Sequence, residues 1–192
     1  MCYNMVMKKN DNGFTLIEVA LVLAIAGAIF AAVFIALRGI WADERDSERR
    51  DDVMTFIRQL KNYQSNNSRR ALPTVPSGKY PHYIDGEDIA ADRQATSKKY
   101  TDDTSWEVFY RDYFKDAFTD PDGLLYNINI RECDAKNVNL EQSCGLDVTG
   151  NYTIDVVIGA VCYGEDAIRS ANTRNVAVLY DMEAGGYYCE NT

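Results

Sequence analysis

The sequence contains a single histidine, His82, and no cysteine pair of the CxxC form. It also lacks a GxSxG motif and a glycine-rich phosphate loop. Catalytic triads, structural zinc sites and phosphate-binding loops are recognised by these motifs. We therefore predict a protein that is not an enzyme and that uses no cofactor.

Basic residues are outnumbered. The chain has 20 lysines and arginines against 29 aspartates and glutamates, which gives a net charge of −9. A nucleic-acid-binding protein presents a basic face, so no direct contact with nucleic acid is predicted. The acidic balance fits a solvated surface outside a membrane.

Helix-breaking residues are scarce in the first third of the chain. Proline is absent before Pro73, and the only glycines between positions 14 and 67 are Gly27 and Gly39. Because proline and glycine interrupt helices, their scarcity predicts one helix over residues 14–67, about 54 residues and about 80 Å long.

The two halves of this predicted helix differ in polarity. Residues 14–38 carry no charge except Glu18 and the terminal arginine, and as a helix they are long enough to span a hydrocarbon layer of about 30 Å. Lys8 and Lys9 precede this run and should keep the N-terminus on the cytoplasmic side of a membrane. Residues 39–67 are amphipathic, because apolar side chains recur there at helical spacing: Val53, Phe56, Ile57, Leu60 and Tyr63.

Two simpler interpretations of the apolar run compete. A secretory signal has an apolar core of about 7–15 residues, whereas this run continues well past the small residues of Ala24-Ile25-Ala26. A plain membrane anchor explains the length but gives Glu18 no purpose. A charge at the centre of a membrane helix costs about 2.5–3.5 kcal/mol on insertion scales.

Alanines recur at every fourth position of the apolar half: Ala20, Ala24, Ala28, Ala32 and Ala36. A ridge of small residues lets the backbone of a neighbouring helix approach closely. The high helix propensity of alanine is the alternative explanation. We predict that these alanines pack against helices of other subunits.

The N-terminal residues resemble a known signal. Lys8-Lys9, followed by Gly13-Phe14-Thr15-Leu16-Ile17-Glu18-Val19, is similar to the class III signal of bacterial type IV pilins and type II secretion pseudopilins. The resemblance implies that a prepilin peptidase cleaves between Gly13 and Phe14 and methylates the new amino group of Phe14. It also implies that Phe14 and Glu18 act in filament assembly. Many pilins carry a proline further along the helix, where this chain has Ile35.

Residues 1–13 are thus expected to be a cleaved leader, and residues 68–192 a globular head. Residues 69–102 read as a long exposed connection with a short helix near 86–93. Thr104-Ser105-Trp106-Glu107 has the form of a capping box with Thr104 as N-cap, and a helix is predicted at about 105–117. Strands are predicted at four places: 124–131, 152–161, 175–181 and 186–190. The expected fold is α+β, the pilin fold, with a four-stranded antiparallel sheet on the long helix.

Cys2 precedes the apolar run, whereas the other four cysteines lie in the last third of the chain. Removal of the leader, which contains Cys2, leaves an even number of cysteines, and four cysteines can form two disulfides in three ways. Cys133 and Cys144 flank one loop, and Cys162 and Cys189 fall at the same end of a meander, which favours the pairs Cys133–Cys144 and Cys162–Cys189. Such bonds require an oxidising compartment outside the cytoplasm.

Two charged segments remain. Asp120-Pro121-Asp122-Gly123 predicts a turn. A similar element in major pseudopilins lies near a calcium site, so the resemblance makes Asp120 and Asp122 possible calcium ligands, although turn chemistry alone accounts for them. Residues 43–52 mix both signs of charge, and they either pair between subunits or form a plain solvated face.

The expected function is that of a structural subunit of a type IV pilus, used for adhesion, surface motility or DNA uptake. The alternatives are a pseudopilin of a type II secretion or competence system and a low-copy minor pilin or tip adhesin. Expected partners are other copies of the chain, the prepilin peptidase, the inner-membrane assembly machinery and a receptor on a host cell or surface. The chain should cross the inner membrane once before assembly and then lie in an extracellular filament.

Overall fold

The computed structural model describes residues 14–67, 71–114, 118–133, 143–145 and 152–192. In chain order, the described elements are α1 (Leu16–Asn66), β1 (His82–Ile84), α2 (Gly86–Gln94), α3 (Trp106–Tyr113), β2 (Asn127–Glu132), β3 (Thr153–Ile158), β4 (Ala160–Tyr163), β5 (Asp166–Arg169), β6 (Val176–Asp181) and β7 (Tyr187–Asn191). The chain divides into two compact units, Met1–Trp41 and Ala42–Thr192.

The predicted long helix is confirmed as α1, which runs through both of its glycines without a break. In the second unit one face of α1 is buried at helical spacing: Val53, Phe56, Ile57, Leu60 and Tyr63. These side chains form one core with aromatic residues of α3 and with alternate residues of the sheet, Ile128 and Ile130 among them. The α+β class, a long helix packed on a mostly antiparallel sheet, is confirmed.

The sheet differs from the predicted four-stranded meander. The described strands form a five-stranded sheet in the order β1-β2-β3-β6-β7, with a separate hairpin of β4 and β5. Strands β2 and β3 are parallel, and the other neighbours in the sheet are antiparallel. A parallel pair requires a long crossover, and the stretch of sequence between Glu132 and Thr153 is long enough for one. The predicted strand 152–161 is split at Gly159, whose φ of +76° suits glycine and ends β3.

Helix predictions in the head are partly right. The short helix near 86–93 is confirmed as α2, whose N-cap Asp85 accepts hydrogen bonds from the N–H groups of Glu87 and Asp88. The capping box at Thr104 is wrong, because Ser105 is the N-cap of α3 and accepts from the N–H of Val108. The helix predicted at 105–117 ends at Tyr113, and its last three positions lie outside the described residues.

The face of the sheet turned away from α1 carries a second, smaller core. It contains Val157, Ala177 and Leu179 of the sheet and Ala160 and Ala167 of the β4–β5 hairpin, with four cysteines packed against it. Both faces of the central strands are therefore covered.

Candidate functional site

The first turn of α1 is held by a reciprocal hydrogen-bonded cap. The Glu18 carboxylate accepts a bond from the N–H of Thr15 at 2.9 Å and another from its hydroxyl at 2.8 Å. In return, the N–H of Glu18 donates to the Thr15 hydroxyl oxygen at 3.3 Å. This arrangement is a capping box, which satisfies main-chain N–H groups that have no partner within the helix.

The role of Thr15 in this cap was not predicted from the sequence. The signal was present, because Thr15 and Glu18 have the Thr-x-x-Glu spacing of the motif. The carboxylate to which the resemblance assigns a role in filament assembly therefore also caps its own helix.

The apolar side chains of this helix half are exposed. Phe14 and Leu16 are each 88% exposed, and Ile35 is 77% exposed. By length and composition the helix is able to cross a membrane. The five alanines at four-residue spacing are exposed as well, and their packing against other helices stays a prediction.

A buried ion-pair cluster, which we call the Arg49 cluster, lies in the second unit. It comprises Asp46 and Arg49 of α1, Asp120 and Asp122 of the turn before β2, Tyr180 of β6 and Glu183 of the turn after β6. Arg49 donates to both carboxylate oxygens of Asp120, at 2.8 and 3.2 Å, and to Asp46 at 3.0 Å. It also reaches Asp122 at 3.1 Å and Glu183 at 3.3 Å.

Other hydrogen bonds complete the cluster. The Tyr180 hydroxyl donates to Asp120 at 2.9 Å. The two carboxylate oxygens of Asp46 accept from the N–H groups of Glu183 and Ala184, both at 2.9 Å. Arg45, one turn earlier on α1, donates to Glu183. The cluster thus ties the long helix to two turns that are distant from it in sequence.

Burial and pairing act in opposite directions on Asp120. Its burial raises the pKa of the carboxyl group, but the bonds from Arg49, the Asp122 N–H and Tyr180 outweigh burial and leave that pKa below its ordinary value. Burial also raises the pKa of the Tyr180 hydroxyl, and the neighbouring Asp120 carboxylate raises it further. Asp120 is therefore held as a carboxylate and Tyr180 as a neutral donor.

This geometry bears on the predicted calcium ligands. Asp120 and Asp122 do lie together, but the guanidinium of Arg49 occupies the space between them. In the part of the chain that is described, no group of three or more His, Cys, Asp or Glu side chains is arranged to hold a metal ion. A cavity of about 330 Å³ adjoins the cluster and is lined in part by Arg45, Tyr152 and Asp181.

The cysteines of the head are joined in the pairs that the sequence favours. Cys133 and Cys144 have Cα atoms 5.0 Å apart, and Cys162 and Cys189 have Cα atoms 5.7 Å apart. The Arg131 guanidinium, paired with the buried Asp155, donates to the carbonyl of Cys144 at 2.8 Å. The first disulfide is thus linked to β2 and β3, and the second joins β4 to β7.

Comparison with known families identifies the N-terminal segment. A family described as the prokaryotic N-terminal methylation motif matches residues 8–34. This motif supports a type IV pilin-like prepilin. Searches of curated proteins and of solved structures each found no match.

The motif places the prepilin's predicted processing site at its N-terminal end. Gly13 lies outside the described residues, and Phe14 is the first described residue. Cleavage between the two and methylation of Phe14 are what the motif implies of a prepilin, and at these residues they stay predictions. The motif and the apolar helix together indicate anchoring in a membrane before assembly.

Proposed function

We propose that this prepilin is a structural subunit of a type IV pilus, which polymerises through the apolar half of α1 into an extracellular filament. Phe14, just before α1, and Leu16, its first residue, are each 88% exposed, and Glu18 lies in the first turn of the same helix. This combination of exposed apolar surface and one carboxylate carries the proposal. Large exposed apolar surfaces are covered by a membrane or by partner proteins. A filament core of neighbouring helices would cover this one after it leaves the membrane.

The charge chemistry gives the assembly its register. Removal of residues 1–13 would leave a positive amino group on Phe14. In an apolar filament core, the Glu18 carboxylate of one subunit would pair with the amino group of a neighbour. Loss of one member of a buried ion pair costs about 3–5 kcal/mol, so a subunit that joins out of register would be disfavoured strongly.

Three variants separate the cap from the charge. Glu18→Gln keeps an oxygen that accepts from Thr15 and removes the charge, whereas Thr15→Ala removes the hydroxyl of the cap and keeps the charge. We expect sheared cell-surface fractions to contain filaments of the Thr15→Ala chain and none of the Glu18→Gln chain. Glu87→Ala, which removes an exposed glutamate of the head, is the matched control and should assemble normally.

Processing is tested separately. Replacement of Gly13 by a bulky residue should leave the leader attached, and mass spectrometry of wild-type filaments should find a methylated Phe14 terminus. Filaments formed by the Glu18→Gln chain would contradict the proposal, as would an intact Met1 terminus in assembled material. Short periplasmic fibres in place of surface filaments would identify a pseudopilin, and rare copies at filament tips would identify a minor pilin or adhesin.

A further inference from the structure

The outward face of α1 in the second unit is polarised along the helix axis. Its first part carries the exposed carboxylates of Glu44, Glu48 and Asp51, and its last part carries the exposed cations of Arg58 and Lys61. Within the described residues, none of these five side chains takes part in an ion pair or a charged hydrogen bond. The exposed cation Arg50 lies at the edge of the first part, where its guanidinium stands over the Tyr188 ring at 5.7 Å. The rest of the face holds two blocks of unpaired charge of opposite sign.

We propose that this face is a contact between copies of this chain, in which Arg58 and Lys61 of one copy pair with Glu48 and Asp51 of the next. The inference rests on the proposed function, because copies inserted in one membrane have parallel helices. Parallel helices in register would place like charges opposite each other, which is destabilising. A displacement along the axis removes that conflict.

One displacement satisfies both pairs. Glu48 and Arg58 are ten residues apart, and so are Asp51 and Lys61, which corresponds to about 15 Å at the helical rise of about 1.5 Å per residue. The two members of each pair are also separated by the same rotation about the helix axis. A single screw operation therefore brings both pairs together. Such a head-to-tail contact does not close on itself and produces an open filament.

Charge reversal in the full-length chain tests this contact. The variants are Glu48→Arg with Asp51→Arg, Arg58→Glu with Lys61→Glu, and the quadruple variant that combines them. Like charges across an interface cost several kcal/mol, so we expect each double variant to lower the yield of sheared filaments about tenfold or more. The quadruple variant should return the yield to within about twofold of wild type, because the charges are complementary again.

Three further measurements keep the test independent of folding. Lys79→Glu with Arg174→Glu makes the same charge change at exposed positions elsewhere and should assemble normally. Production of both double variants in one cell should restore filaments, because one chain then carries two basic blocks and the other two acidic blocks. The levels of disulfide-bonded, processed chain should match wild type throughout.

The outcomes distinguish this contact from filament formation itself. Double variants that assemble like wild type, or a quadruple variant and a co-production that both fail to recover, would overturn the contact. If the Glu18→Gln chain fails to assemble in the same cells while the double variants succeed, the filament proposal stands and the contact alone is wrong. If the wild-type chain forms no filaments, both proposals fall.

Discussion

Replacement of Arg49 by methionine would leave two buried carboxylates without their guanidinium partner. The side chains of Arg49, Asp46 and Asp120 are 6%, 5% and 0% exposed. Asp120 would keep the Tyr180 hydroxyl and Asp46 would keep its two main-chain donors, but neither would face a cation at bonding distance in the described cluster. Methionine fills a similar volume, so the variant tests the charge more than the packing.

The expected loss follows from the burial of the pair. Removal of one partner from a buried ion pair lowers the free energy of unfolding by about 3–5 kcal/mol. For a chain of this size each kcal/mol lowers Tm by about 2–4 °C, so the variant should melt about 6–20 °C below wild type. The assay is thermal unfolding of the full-length chain in detergent, followed by near-UV circular dichroism of the aromatic core.

Two variants serve as controls. Arg45→Met breaks the ion pair between Arg45 and Glu183, which are 32% and 38% exposed. Because the pair is partly exposed, this variant should lose at most about 1 kcal/mol of unfolding free energy. Arg49→Met with Asp120→Asn removes one of the two stranded charges and should recover part of the loss. A loss for Arg49→Met no greater than that for Arg45→Met would refute the reasoning, and so would a double variant less stable than the sum of its parts.

Three other predictions concern the head. Replacement of Cys162 and Cys189 by alanine should lower the free energy of unfolding by about 3–4 kcal/mol, and replacement of Cys133 and Cys144 by about 2–3 kcal/mol. The first loss is larger because that disulfide closes a loop of 27 residues and the second closes one of 11. Denaturant midpoints measure the difference. Gly86→Ala should destabilise the head, although alanine has the higher helix propensity, because a methyl group there would overlap the main-chain carbonyl just before β2. Urea unfolding tests this, with the same substitution at an exposed glycine as control. Because the folded pKa of Asp120 lies below its unfolded value of 3.8, the ionised carboxylate stabilises the fold above that pH, and this contribution is lost as pH falls through the folded pKa. Acid titration of the wild-type chain should show the loss of stability, and the stability of Arg49→Met should depend less on pH.

Local patterns predicted the elements that local physics determines. The length of α1 follows from the lack of proline, and its buried face follows from the period of Val53 to Tyr63. A short helix was expected near 86–93, and the structure adds the N-cap, Asp85, that begins it. β1 was missed because three residues are too few to show alternation. The parallel pairing of β2 and β3 was missed because the choice of strand partner and its direction depends on contacts between residues that are distant in sequence, which a single sequence does not display.

The buried position of Arg49 is encoded in the helical phase of the sequence. Residues 43–52 look like one solvated run of mixed charge, yet helical phase divides them. If the spacing of the buried residues is extended backwards from Val53, steps of four and three residues reach Arg49 and then Asp46, so both belong on the buried face. The same phase puts Glu48 and Asp51 on the outward face. A buried arginine needs anionic partners, and the two aspartates of the turn before β2 meet that need. These aspartates lie 71 and 73 residues from Arg49 in the sequence, and only the fold reveals that they contact it.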